Sequence, residues 1–241
     1  MTLQSNNLRL MTPEQASFVR RQWEAHQHED FTVDFDISGF GDVVLQDFLV
    51  AKAVWNPFAA SGGRHARWLS NNTRLFWEKK VLEIGSGTGL LGIVMALCGA
   101  RHVIMSDISE KAVQNTRNNV KRYDLEAICD VRTSDLFEQV PEQVDMILWN
   151  IPFFPGYPPE QDTISASMIM SPDLLRRFLS DARDHLTSNG VVVVPSFSFG
   201  GELTDPLLVS YYLGYTGERT WIYDSHNGIQ QGRLFITELR M

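Results

Sequence analysis

Apolar and polar positions set out the elements of this chain one after another. Phe31, Val33, Phe35 and Ile37 alternate with polar residues, the period of a strand with one buried face. Gly39 and Gly41 mark a turn and Val43 to Val50 returns as a second strand, so a β-hairpin is expected. Ahead of it, Thr12-Pro13-Glu14-Gln15 reads as a helix start. Thr12 caps, Pro13 suits the first helical position and Gln15 completes a capping box. That helix is expected to run to about His28, with Phe18, Val19 and Trp23 on its apolar face, while the polar residues 1–10 are expected to be loosely held. Asn56-Pro57 predicts a second helix through Phe58, Ala59 and Ala60 to Trp68-Leu69, loosened by Gly62-Gly63 and stopped by Asn71-Asn72.

From Lys80 the pattern changes to short apolar runs separated by helical periods. Val81, Leu82 and Ile84 form a strand buried on both faces. A turn with Gly85, Gly87 and Gly89 follows, then an apolar helix from Leu90 to Leu97. His102 to Asp107 is the next strand, and Ser109 caps a helix from Glu110 to about Tyr123, with Ala112, Val113 and Val120 inward. Ala127 to Val131 predicts a third strand and Val144 to Trp149 a fourth, ending at Asn150. Residues 151–170 read as a long proline-bearing loop, either a lid carrying Phe154, Tyr157 and Met168 or an exposed insertion. Pro172 opens a helix to Leu186 that Asn189-Gly190 stops. Val191 to Val194 is the fifth strand, and Thr204-Asp205-Pro206 starts a helix to about Leu213. Two terminal strands, about 215–223 and 232–239, are joined by His226-Asn227-Gly228. This order predicts a doubly wound, mainly parallel α/β sheet with a final antiparallel hairpin. Residues 1–53 read as an N-terminal helix and hairpin extension, and 54–241 as the main domain.

Composition narrows the class. With 241 residues, 44% hydrophobic and 21% charged, the chain suits one sizeable globular domain. No apolar run approaches the roughly 20 residues that span a bilayer, and the N-terminus lacks the apolar core of a secretory signal. Cys98 and Cys129 are the only cysteines. They imply no disulfide framework, so a reducing, cytoplasmic setting is expected. A net charge of −8 disfavours broad binding to nucleic acid. Arg64, His65 and Arg67 read as a small basic cluster on a solvated helix face. His26 and His28 do not share a helix face, and no metal site is expected. His65, His102, His185 and His226 read as structural or surface residues.

The candidate chemistry begins at the glycine turn. A strand, three close glycines and a helix N-terminus together make a ligand site, because backbone N–H groups are reachable without a Cβ in the way. Gly87, Gly89 and Gly92 match the dinucleotide pattern G-x-G-x-x-G. The strand ends at Ile84, however, so that pattern begins late, and Glu83 would set like charge against a pyrophosphate. The acidic-x-Gly-x-Gly-x-Gly pattern of Glu83, Gly85, Gly87 and Gly89 instead resembles motif I of the class I S-adenosylmethionine methyltransferases. The resemblance covers roughly residues 50–241 and implies a seven-stranded Rossmann-like fold. It implies that Gly85, Ser86, Gly87 and Gly89 hold the methionine portion, with Glu83 favouring its ammonium group. It places Asp107, followed by Ile108, at the ribose hydroxyls, and Ser134-Asp135-Leu136 at the adenine.

Asn150-Ile151-Pro152-Phe153 resembles motif IV of the amino-group methyltransferases. An amide or exocyclic amine has a delocalised lone pair, and two acceptors on its N–H groups favour pyramidalisation in the transition state. The resemblance implies the Asn150 side chain, which also borders the cofactor, and the Ile151 carbonyl as those acceptors, with Phe153 stacking on a planar target and Pro152 holding Ile151 extended. The segment from Val54-Trp55 to Trp68-Leu69, followed by Val81–Ala100 and Ser106–Ser109, also resembles the seven-strand protein lysine methyltransferases, in which a tryptophan before the first main helix lies against the cofactor, here Trp55. That branch usually has Asp where this chain has Asn150. Release-factor glutamine and ribosomal-protein methyltransferases share the Asn-based pattern. A protein side chain, lysine or glutamine, is the expected acceptor, with RNA adenine, a small molecule or a non-catalytic cofactor-fold module as the alternatives. The sequence does not fix the oligomeric state, and a monomer is favoured over an oligomer.

Overall fold

The computed structural model describes residues 5–39, 41–59, 61–160, 162–226 and 231–241. Its elements are α1 (Pro13–Ala25), β1 (Phe31–Gly39), β2 (Gly41–Val50), α2 (Gly62–Ser70), β3 (Lys80–Ile84), α3 (Leu90–Leu97), β4 (His102–Asp107), α4 (Glu110–Arg122), β5 (Cys129–Thr133) and β6 (Val144–Trp149). They continue through β7 (Phe154–Pro155), α5 (Thr163–Ala166), β8 (Ile169–Met170), α6 (Pro172–Ala182), β9 (Leu186–Phe197), α7 (Pro206–Tyr211), β10 (Thr216–His226) and β11 (Gln231–Arg240). The main sheet has seven strands in the order β10-β11-β9-β6-β3-β4-β5, mainly parallel with an antiparallel end, as expected for a Rossmann-like methyltransferase fold. The chain divides into two compact units, residues 28–149 with 184–191, and residues 1–27 with 150–183 and 192–241.

In the first unit β3 pairs in parallel with β4 and β6, and β4 with β5. Val81, Leu82, Val103, Ile104, Met146 and Ile147 are fully buried, because a parallel strand is covered on both faces. The hairpin β1–β2 forms as the alternation predicts, with a register shift between Val33 and Phe35. Three boundaries differ from expectation. Helix α2 begins at Gly62, not at Asn56, because residues 57–59 turn instead. A Cβ at Gly62 would lie 2.5 Å from the Pro57 Cβ and 2.8 Å from its carbonyl oxygen, so the glycine permits a tight return onto Pro57. Ala60, read as part of that helix, lies outside the described residues. Strand β5 starts at Cys129, since the N–H groups of Ile128 and Cys129 still bond to the Leu125 carbonyl. Strand β9 starts at Leu186 and runs through Asn189-Gly190, the pair expected to end a helix. Thr187 Oγ1 donates to Asp145 Oδ1 at 3.0 Å, and a Cβ at Gly190 would lie 2.7 Å from Leu186 Cδ2, so the glycine allows a close fold-back inside the strand.

In the second unit the capping box of α1 is present on both sides, Thr12 accepting from the Gln15 N–H and Gln15 Oε1 accepting from the Thr12 N–H. Of residues 1–10, expected to be loosely held, 1–4 lie outside the described residues and 5–8 form a 3-10 turn. Leu8 is buried, and Asn7 Nδ2 donates to the Tyr157 carbonyl at 2.7 Å. Helix α6 ends at Ala182 and passes into a 3-10 turn at Arg183–His185 that links it to β9. Within 151–170, of which Gln161 lies outside the described residues, β7 pairs in parallel with β8 and Phe154, Ile164 and Met168 are buried, while Tyr157 is exposed. The linker His226-Asn227-Gly228 expected between the last strands lies, beyond His226, outside the described residues.

Candidate functional site

The glycine turn leaves β3 at Ile84 and enters α3 at Leu90. Gly85, Gly87 and Gly89 have φ of +64°, +57° and +82°, the left-handed region that a side chain resists. Packing adds a second reason at two of them. A Cβ at Gly85 would meet Trp149 Nε1 at 3.0 Å, and one at Gly89 would meet Thr116 Cγ2 at 2.9 Å. At Gly87 nothing lies within 4 Å, so the backbone there faces open space that a ligand can enter. The Ser86 N–H donates to the Ser106 carbonyl at 2.9 Å, tying the turn to the end of β4.

Asp107 ends β4 and meets this turn. Its Oδ2 accepts from the Gly87 N–H and its Oδ1 from the Ser109 N–H, both at 2.9 Å. Desolvation raises its pKa, and these backbone N–H groups act in the opposite direction. Each carboxylate oxygen keeps a further lone pair, which suits two neighbouring hydroxyls. Ile108 follows with 67% of its surface exposed, a large apolar side chain available to cover an aromatic ring. Ser134 is occupied locally: its N–H donates to the Asp107 carbonyl and its hydroxyl to the Leu136 carbonyl, while Leu136 has φ +47°. Trp55 is half-buried in the segment before α2. The open side of Gly87, the Asp107 carboxylate and exposed Ile108 together fit S-adenosylmethionine.

Glu83 lies behind the turn, buried, with Oε2 accepting from the Gly92 N–H at 2.8 Å in the first turn of α3. Burial pushes its carboxyl up to about 8 from the usual 4.5. The folded chain therefore holds a proton that the unfolded chain has released between about pH 4.5 and 8, and stability falls across that window. Glu83→Gln keeps an acceptor for Gly92 but cannot ionise. Its melting temperature relative to wild type is expected to rise from pH 5 to pH 8. A constant difference across that range would contradict a buried, proton-holding Glu83.

Two features of this unit went unnoticed in the sequence. Helix α4 turns a polar face inward: Asn115, Thr116 and Asn119 are buried and bond to backbone near the turn and to β2. Their spacing of i, i+1 and i+4 on a helix is the signal that was available. His65, read within a solvated basic cluster, is buried with neither ring nitrogen hydrogen-bonded. Burial drives its pKa down to about 3, so it is neutral, and Arg67 lies over the Phe35 ring at 4.9 Å.

In the other unit Asn150 is the residue after β6. Its Oδ1 is buried and has no hydrogen-bond partner, an orphaned acceptor of the kind that folded proteins seldom leave. Ile151 and Pro152 are buried and Phe153 is half-buried, 5.9 Å from the Phe197 ring. The Phe153 carbonyl accepts from Thr204 Oγ1 at 2.8 Å, and Phe154 N–H donates to the Met168 carbonyl at 2.9 Å, so both sides of the tetrapeptide's end are held. Gln15 Nε2 donates to the Phe199 carbonyl at 2.6 Å, joining α1 to the 3-10 turn at Ser198–Gly200. Thr204→Val would leave the Phe153 carbonyl unpaired at a cost of about 1–3 kcal/mol. A drop of several degrees in melting temperature is expected by thermal denaturation, with Thr204→Ser close to wild type. An unchanged melting temperature for the valine variant would show this bond to be dispensable.

The family model described as "Methyltransferase small domain" matches residues 66–199. Over 132 residues the chain is 34% identical to a putative protein N5-glutamine methyltransferase of Methanocaldococcus jannaschii, covering 52% of this chain and 65% of that one. It is 29% identical to a ribosomal protein L11 methyltransferase of Lactobacillus johnsonii, over 49% of this chain and 31% of that protein. It is also 29% identical to a release factor glutamine methyltransferase of Borreliella burgdorferi, over 49% and 44%. The chain thus spans less than two thirds of the length of these relatives. The fold is shared with a Thermus thermophilus 16S rRNA methyltransferase (TM-score 0.59, 17% identity, 86% of this chain and 50% of that one). It is also shared with a putative RNA methyltransferase of Pyrococcus horikoshii (TM-score 0.54, 19% identity, 95% and 98%).

Proposed function

Because the chain belongs to the methyltransferase small domain family, we propose that it transfers a methyl group from S-adenosylmethionine to a nitrogen of a protein side chain, with a glutamine amide favoured over a lysine amine. The observation that carries this reading is the buried, unpartnered Oδ1 of Asn150. A neutral acceptor suits the N–H of a neutral amide, and the curated relatives described above are named for protein acceptors, a glutamine among them.

Bound S-adenosylmethionine supplies an electrophilic methyl group on a sulfonium. The chain's own residues bind it, orient the acceptor and free the acceptor's lone pair. Asp107 takes the two ribose hydroxyls on its remaining lone pairs, Ile108 covers the adenine together with the Ser134–Leu136 segment, and the turn at Gly85–Gly89 receives the methionine end. Trp55 borders this site. Asn150 Oδ1 and the Ile151 carbonyl accept the two N–H groups of the acceptor amide. Those bonds strengthen as the nitrogen becomes pyramidal, so they favour the transition state over the ground state. Phe153 stacks on the planar group and Pro152 keeps the Ile151 carbonyl in place. The methyl group would pass to the nitrogen as the carbon–sulfonium bond breaks, with S-adenosylhomocysteine leaving as the neutral thioether and an N–H proton going to solvent, and orientation of the acceptor would contribute much of the rate. The acceptor partner is a protein, and the negative net charge disfavours RNA. Among the described residues no helix is long and apolar enough to cross a membrane.

Isothermal titration with S-adenosylmethionine tests the reading at its base. One-to-one binding is expected, and the absence of any binding heat in folded protein would overturn it.

A further inference from the structure

We infer that the N-terminal hairpin β1–β2 is a determinant of cofactor affinity, acting on the glycine turn through the buried amides of Asn119 and Asn115. The inference rests on the proposed cofactor site and adds two positioning residues to it.

One side chain joins the two segments. Asn119 is fully buried. Its Nδ2 donates to the Leu49 carbonyl at 2.8 Å and to the Thr88 carbonyl at 2.9 Å, and its Oδ1 accepts from the Leu49 N–H at 2.9 Å. One turn earlier on α4, Asn115 serves β2 and the residue after it alone. Its Oδ1 accepts from the Ala51 N–H at 2.8 Å and its Nδ2 donates to the Leu49 carbonyl at 3.0 Å. Between them Thr116 Oγ1 donates to the Gly87 carbonyl at 3.0 Å and lies 3.0 Å from Ser86 Oγ. The same face of α4 therefore holds the end of the hairpin and the carbonyls of Gly87 and Thr88.

Those carbonyls decide where the turn's N–H groups point. In a trans peptide the C=O and the following N–H are opposed. Fixing the Gly87 carbonyl on α4 turns the Thr88 N–H away from α4. The amide of Asn119 can hold the Thr88 carbonyl only while its remaining groups are satisfied, and the Leu49 backbone satisfies them. In a buried, low-dielectric site an amide that loses one partner reorients or leaves a polar group unpaired, so displacement of the hairpin reaches the turn through this single side chain. Residues that neither touch the ligand nor belong to the glycine pattern thus hold the turn in shape.

The test uses the full chain with S-adenosylmethionine as the probe. Asn115→Leu removes two bonds to the hairpin and none to the turn. It is expected to weaken binding about 3- to 10-fold, the effect of about one buried hydrogen bond. Asn119→Asp keeps the acceptor for the Leu49 N–H, removes both donors and is expected to weaken binding further. Asn118→Ala, on the exposed face, serves as the control. Cofactor affinity of folded Asn115→Leu equal to wild type would overturn the inference, whereas a wild-type chain that binds no cofactor would overturn the site itself. Hydrogen exchange of wild type covers the case in which a variant does not fold. On adding S-adenosylmethionine, the Leu49 and Ala51 amides should gain protection together with those of Gly87 to Gly89. Protection confined to the turn would contradict the coupling.

Discussion

Replacing Asn150 with alanine is expected to lower turnover roughly 100- to 1000-fold, the scale seen when one preorganised transition-state partner is removed, while affinity for S-adenosylmethionine stays within about twofold. An amide nitrogen is a poor nucleophile because its lone pair is delocalised, and the enzyme must favour the pyramidal geometry in which that lone pair is available. Asn150 Oδ1 suits this task because it is buried and has no other partner to leave. An acceptor already bonded within the protein would have to exchange one hydrogen bond for another and gain little. The tetrapeptide's far end is fixed by Thr204 Oγ1 on the Phe153 carbonyl, so removal of the Asn150 side chain should delete the acceptor without moving its neighbours. Single-turnover rates with labelled cofactor, measured beside calorimetric affinities, separate the two effects. Turnover equal to wild type would remove Asn150 from the chemistry.

Asp107→Ala is expected to raise the dissociation constant of S-adenosylmethionine by roughly 100-fold or more, since two hydrogen bonds to a charged acceptor contribute about 3 kcal/mol or more together. The loss has a second source. Asp107 Oδ2 also holds the Gly87 N–H, so alanine frees the turn at the glycine that faces open space. Asparagine does not substitute well. Asp107 accepts an N–H on each oxygen, from Gly87 and from Ser109, and an amide must set its NH2 against one of them. Both variants should therefore bind weakly in calorimetry. Wild-type affinity in Asp107→Ala would show that the carboxylate does not contact the cofactor.

Much of this was legible in the sequence where the relevant physics is local. The buried strands β3, β4 and β6 announce themselves as apolar runs, and the Thr12–Gln15 capping box and the Ser109 cap are formed as read. Asp107 and Asn150 were conspicuous as polar residues directly at the ends of apolar strands. What was missed depends on residues far apart in the chain or on signals with two meanings. Asn56-Pro57 can start a helix or a turn, and the contact of Gly62 with Pro57 decides for the turn. Asn189-Gly190 reads as a helix stop, yet here it folds a strand closely back on Leu186. The polar face of α4 looks solvated in a segment that also carries Lys111, Arg117, Lys121 and Arg122, and only the positions of β2 and of the turn show why Asn115 and Asn119 are buried. The bond from Gln15 to the Phe199 carbonyl spans most of the chain, so no local pattern could announce it.

The central claim is that the acceptor is a nitrogen on a protein side chain. Purified enzyme and methyl-labelled S-adenosylmethionine are incubated with cell extract, the product is divided between RNase and protease, and the protease arm is digested enzymatically to free amino acids for analysis, since acid would split an N-methylated glutamine amide into glutamate and methylamine. Label that survives RNase, is released by protease and is recovered as an N-methylated glutamine or lysine is the predicted result. Label that survives protease and is lost with RNase would contradict it.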